Sequence, residues 1–115
     1  MLQLDHKNLD VYKLSVNFVV DLYKVINDFP ALEKYAISQQ LRRAAVSIVS
    51  NIAEGSSRKS ERERVRFYEI ARGSLIEIDA QLEIAFRLKY VNKEDLEVLG
   101  SYTVRIFQML TKMMH

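Results

Sequence analysis

The apolar residues of the chain recur at helical spacing in four separate blocks. In the first, Leu9, Tyr12, Val16, Val19, Tyr23 and Ile26 advance in alternating steps of three and four, the seam of a packed bundle helix. A second set on the same block, Val11, Leu14, Phe18, Leu22 and Val25, has equivalent spacing. At about 100° per residue the two stripes point roughly 130° apart. The block therefore predicts a helix over residues 8–28 that is apolar on two sides. Such a helix is either central in a larger core or shared between its own bundle and another subunit. Phe29-Pro30 ends it, because proline pushes the preceding residue out of the helical region.

In the second block Leu41, Ala44, Ala45, Ile48 and Ile52 share one face, predicting a helix over 38–54. Ser38 is the expected N-cap, and Gly55 stands where a helix commonly stops on a left-handed residue. Its small residues invite close approach by a neighbour, which makes it the expected most buried helix. Ala31 to Ile37 forms the connection, with room for a turn at Leu32 to Tyr35.

The third block opens with Ser60-Glu61-Arg62-Glu63, a capping box, and predicts a helix over 61–90. Its core stripe is Val65, Tyr68, Ala71, Leu75, Ile78, Leu82 and Phe86; Phe67, Ile70, Ile84 and Leu88 form a second stripe. Gly73-Ser74 lies mid-helix, where glycine costs about 1 kcal/mol relative to alanine. A close approach by the small face of the second helix would account for it. In the fourth block Asn92 caps a helix over 93–113, with Leu96, Leu99, Thr103, Ile106, Leu110 and Met113 as its stripe. Four helices with short connections predict an all-α fold, an antiparallel up-and-down four-helix bundle formed by residues 1–115 as one domain.

Composition narrows this further. Hydrophobic residues make up 49% of the 115, at the upper end of globular usage. Excess apolar surface is usually hidden between subunits, so homo-oligomerisation is expected. The second stripe of the first helix, Val11, Leu14, Phe18, Leu22 and Val25, with Phe67 and Ile70, is the expected interface. The absence of cysteine removes disulfides, thiolate metal sites and a cysteine nucleophile, and suits a reducing cytoplasm. An acid early in the N-terminus and no apolar core after it argue against a secretory leader. The longest uncharged run, Ala44 to Ala53, is half of what a bilayer span needs, so no membrane is expected.

Catalytic chemistry finds little to work with. A di-iron bundle needs Glu-x-x-His pairs projecting inward, and the two histidines, His6 and His115, lie at opposite ends. There is no glycine-rich phosphate loop and no nucleophile–histidine–acid set. The expectation is a non-enzyme with no catalytic residues, no metal and no cofactor. Ser47, Asn51 and Glu54, with Gly73 and Ser74 opposite, read as a polar seam inside the bundle, where buried polar groups need partners. A buried Glu54 would require a cation, which Arg42, Arg43 or Arg72 could supply.

Net charge is only +2, from 17 basic and 15 acidic residues. Distribution therefore matters more than the total. Arg58, Lys59, Arg62, Arg64 and Arg66 cluster around the second connection. With Arg42 and Arg43 they suggest a phosphate-binding surface, since the guanidinium fork pairs bidentately with phosphate. Arg42, Arg43, Arg58, Lys59, Arg62 and Arg66 are the candidate nucleic-acid contacts. The competing reading is a solvated helix face laced with local ion pairs such as Glu83–Arg87.

The segments Gln40-Leu41-Arg42-Arg43-Ala44-Ala45-Val46-Ser47-Ile48, Asn51-Ile52-Ala53-Glu54-Gly55 and Ala71-Arg72-Gly73-Ser74-Leu75, with Phe67, Glu77 and Gln81-Leu82, carry a family resemblance. The chain resembles the four-helix-bundle proteins encoded in intervening sequences of bacterial 23S ribosomal RNA genes. That family is similar to the accessory variability proteins of diversity-generating retroelements. The resemblance implies an antiparallel bundle assembled as a ring-like homo-oligomer, commonly a pentamer. It also implies further partners: RNA or DNA, and a reverse transcriptase or other protein, met through a basic surface. Two functional classes follow: a nucleic-acid-associated accessory factor, or a protein-interaction scaffold without physiological nucleic-acid binding.

Overall fold

The computed structural model describes all 115 residues and is helical throughout, with no strand. Helix α1 spans Asp10–Ile26, α2 Ile37–Ser56, α3 Glu61–Arg87 and α4 Lys93–Met113. Short 3-10 turns at Asp5–Asn8 and Ala31–Glu33 precede α1 and α2. Each helix packs on its neighbours in chain order and α4 closes against α1, with α2 and α3 sharing the most extensive contact. This is a four-helix bundle.

The helix starts show why the sequence folds where it does. Ser60 Oγ accepts the Glu63 backbone N–H at 3.1 Å, and Asn92 Oδ1 accepts that of Asp95 at 2.7 Å. Each cap satisfies one amide that the first turn leaves free, worth about 1 kcal/mol. The start of α2 departs from expectation. Its cap position is Ala36, with no side-chain bond, and Ser38 is buried inside the first turn rather than capping it. The helix begins one residue earlier, at Ile37, which packs half-buried against the core.

Two glycine expectations are reversed. No glycine has a positive φ. Gly55 is helical and buried within α2, which runs on to Ser56. A Cβ there would lie 2.8 Å from Tyr68 Cε1 and 3.0 Å from Phe67 Cβ, so Gly55 is where α3 comes closest. A Cβ on Gly73 would meet nothing within 4 Å, and Gly73 is exposed. The left-handed stop falls instead at the end of α3, on Lys89 with φ 66°. Tyr90 N–H donates to the Ala85 carbonyl and Lys89 N–H to that of Phe86, both at 2.9 Å. Those two bonds make a Schellman motif, with lysine where glycine is usual.

The four helices enclose one apolar cluster. Its fully buried centre includes Phe18, Leu22 and Ile26 of α1, Leu41, Ile48 and Ile52 of α2, Ile78 of α3, and Leu99, Ile106 and Leu110 of α4. Burying each such side chain stabilises the fold by about 1.5–3 kcal/mol. The expected assignment of α1's stripes is inverted here. Val11, Phe18 and Leu22 face the bundle's own core, and Leu14 and Val25 are half-buried, so this set does not form an outer face. Leu9, Tyr12, Val16, Val19 and Tyr23 are half-buried. The N-terminal 3-10 turn packs over α1 and α2, with His6 edge-on to Tyr12. On α3, Phe86 is exposed rather than core, as are Ile70, Ile84 and Leu88 of the second stripe.

Candidate nucleic-acid interface

The connection between α2 and α3 is tied down by its own side chains. Ser57 Oγ donates to the Glu54 carbonyl at 2.7 Å, and Arg58 N–H to that of Gly55 at 3.1 Å. Arg64 reaches back from α3, its Nη1 donating to the carbonyls of Arg58 at 3.0 Å and Lys59 at 2.8 Å. Both carbonyls belong to the connection itself, beyond the last turn of α2, so Arg64 satisfies backbone acceptors that no helix pairs. Arg58 is engaged as well. Its Nη2 pairs with Glu54 Oε2 at 2.8 Å, and its guanidinium carbon sits 4.9 Å from the Phe67 ring centroid.

Glu54 therefore projects to solvent and takes Arg58 as partner, not Arg42, Arg43 or Arg72. It belongs to the surface, not the polar core. Gly73 likewise lies outside that core. What fills the α2–α3 seam is a ladder of side-chain bonds. Ser74 Oγ donates to Ser47 Oγ at 3.0 Å, and Asn51 Nδ2 donates to Ser47 Oγ at 3.0 Å and to its carbonyl at 2.8 Å. Ser56 Oγ and Tyr68 Oη lie 3.0 Å apart, and Gln81 Nε2 donates to Gln40 Oε1 at 3.1 Å. Gln40, Tyr68 and Gln81 escape a reading by residue type alone. The signal that could have found them is register: antiparallel pairing of Ser47 with Ser74 places Gln40 beside Gln81.

With Arg58 and Arg64 committed, Lys59, Arg62 and Arg66 are the exposed cations at this end that form no ion pair. They do not stand alone. Arg62 and Arg66 line a shallow hollow of ≈ 680 Å³ together with Glu61, Glu63, Val65 and Glu69. Three carboxylates beside two arginines leave that hollow without positive excess.

Arg42 and Arg43 form a separate cluster near the start of α2. Arg43 and Arg58 lie ~20 Å apart along the helix axis at 1.5 Å per residue. The side chain of Arg43 is 75% exposed, its Nη2 4.0 Å from Glu77 Oε1. An exposed contact of that length contributes little. Arg42 is half-buried, its guanidinium 5.8 Å from the Tyr23 ring centroid. Arg72 bridges α3 to α4, donating to Thr111 Oγ1 at 3.1 Å and lying 5.6 Å from the Phe107 ring centroid. The six candidate contacts thus divide into two groups at opposite ends of α2, with Arg58 bound into the fold.

A helical frame with this α2–α3 ladder meets a specific sequence signature. The family description "23S rRNA-intervening sequence protein" matches residues 7–112. The chain belongs to this family. The match takes in both arginine clusters of this 23S rRNA-intervening sequence protein and all four helices but for the last residue of α4. Its fold is also similar to the crystal structure of a protein of unknown function from the S23 ribosomal protein family of Bacteroides thetaiotaomicron. The two share 25% identity at a TM-score of 0.80, over 90% of this chain and 97% of that one. Curated proteins gave no significant match. Neither the family description nor the structural relative names an activity. No group of three or more His, Cys, Asp or Glu side chains is placed to hold a metal ion. No helix is long and apolar enough to cross a membrane.

Proposed function

We propose that this 23S rRNA-intervening sequence protein is a non-enzymatic, homo-oligomeric accessory factor that associates with nucleic acid through exposed cations. The observation that supports this best is the split among the arginines. Arg58 and Arg64 hold the fold, whereas Lys59, Arg62, Arg66 and Arg43 are exposed and are not needed for packing. Long cationic side chains that the fold leaves unused are available to displace counterions from phosphate. With a net charge of only +2, binding is expected to be weak at high salt, where exposed charges are screened.

Oligomerisation supplies what one chain lacks. A single bundle presents few cations per face, and several copies multiply them along one strand of nucleic acid. The apolar surface left over supports self-association: Ile70, Ile84 and Leu88 are exposed on α3. So are Ile76, Val104 and Phe107 around a hollow of ≈ 270 Å³ between α3 and α4. That same apolar hollow favours the second reading, a protein-interaction scaffold.

The test is binding to a structured RNA measured across a salt series, for the wild type and for a variant with Lys59, Arg62 and Arg66 replaced by glutamine. Each lost phosphate contact lowers the log–log slope by about 0.7–0.9. The expected result is a flatter slope in the variant. An unchanged slope would remove these residues from the interface, and RNA bound by neither protein at low salt would leave the scaffold reading.

A further inference from the structure

The second arginine cluster lies in a setting unlike the first. Where the α1–α2 connection enters α2, an open hollow of ≈ 620 Å³ is lined by Tyr23, Tyr35, Gln39, Gln40, Arg42 and Arg43, with Val46 as its one aliphatic member. No carboxylate lines it, in contrast to the hollow along α3. Tyr35 is 80% exposed, so packing does not explain its ring. Cations accompany both rings: Lys34 Nζ is 5.5 Å from the Tyr35 centroid, and Arg42 is the corresponding partner of Tyr23. Gln39 is exposed and makes no side-chain hydrogen bond, while Gln40 spends its Oε1 on Gln81 and keeps its amide N–H groups.

These residue types suit one ligand chemistry. An exposed aromatic ring offers a stacking platform to any base, because every base has a π-face. Glutamine amides can donate to and accept from base edges, and arginine holds the phosphate between them. Only an unpaired strand can present its bases this way; a duplex keeps them stacked inside and offers phosphate and groove edges.

We infer that this hollow binds unpaired nucleotides of a single-stranded nucleic acid. The Tyr35 ring stacks on a base, Arg42 and Arg43 hold the adjoining phosphates, and Gln39 contacts a base edge. The inference rests on the nucleic-acid reading above and adds strand state and a base-contacting site ~20 Å along α2 from the Lys59–Arg62–Arg66 group.

Fluorescence anisotropy with a labelled mixed-sequence RNA oligonucleotide, single-stranded and then annealed to its complement, tests it. The proteins are the wild type, Tyr35→Ala and Tyr35→Phe; the exposure of Tyr35 leaves all three folded, which a thermal melt checks. Tyr35→Ala is expected to weaken single-strand binding about tenfold, within the range measured for loss of one stacked base. Tyr35→Phe keeps the ring and is expected to bind as the wild type does, and duplex affinity is expected to be the same for all three. Single-strand binding unaffected by Tyr35→Ala would overturn the inference while leaving the nucleic-acid reading intact. Equal losses in the alanine and phenylalanine variants would also overturn it, by removing stacking as the cause. No binding of either RNA by any of the proteins would overturn both.

Discussion

Replacing Gly55 with alanine adds one methyl group to the tightest contact between α2 and α3. On unshifted backbone that carbon would sit 2.8 Å from Tyr68 Cε1 and 3.0 Å from Phe67 Cβ. Carbon pairs are at ease near 3.5–4.0 Å, so the neighbours must yield by roughly 0.5–1 Å. Neither yields freely. The Tyr68 ring is buried and its hydroxyl is bonded to Ser56, and Phe67 Cβ is fixed to the α3 backbone. Overpacking of this kind costs about 1–3 kcal/mol. Alanine's better helix propensity returns about 1 kcal/mol, leaving a net loss of up to about 2 kcal/mol. Unfolding entropy near 2.1 cal/mol/K per residue turns that into a melting point lower by up to roughly 8 °C. The matched control is Gly73→Ala. With nothing within 4 Å of the added carbon, only the propensity gain remains, and stability is expected to rise by about 0.5–1 kcal/mol. Thermal melts by circular dichroism separate the two. Gly55→Ala above wild-type stability would refute the close-approach account, and so would equal shifts in the two variants.

Other substitutions probe the same frame. Lys89→Gly is expected to stabilise the protein by about 1 kcal/mol in a denaturant titration, because it relieves a side chain held at φ 66° in the left-handed region. At the α1–α4 boundary Tyr102 Oη donates to Asp21 Oδ2 at 2.7 Å, and this bond, with burial and the Asp21 charge, raises the phenol's pKa above its ordinary value. The folded state thus holds its proton more tightly than the unfolded chain does. The contribution is fully present below about pH 10 and is lost as pH rises through the raised folded value. The stability advantage of wild type over Tyr102→Phe is therefore expected to shrink in melts above about pH 10, and a constant difference would contradict the assignment.

The readable parts of the sequence were those fixed by short-range physics. The capping box at Ser60 and the Asn92 cap act within one turn, and α4's single stripe leaves one possible inward face. The sequence was ambiguous wherever an answer depended on a partner from another helix. Both stripes of α1 have correct helical spacing, and only the positions of α2 and α4 decide that Phe18 and Leu22 point inward. Ser15, buried about one turn before Phe18, gives the true inward face a polar member. Gly55 reads as a helix stop and Gly73 as a close approach, and the position of Tyr68 puts the close approach at Gly55 instead. The arginines were the least legible. Residue type cannot say that Arg64 would turn back to two carbonyls, that Arg58 would lie on Phe67, or that Arg43 would be left in solvent.

Light scattering on the protein alone, and mixed with a structured RNA at about 50 mM and about 500 mM salt, measures assembly and binding together. The expected result is a particle of several 13.4 kDa chains at both concentrations, carrying RNA at low salt and releasing it at high salt. A 13.4 kDa particle that carries no RNA at low salt would contradict both halves of the proposed function.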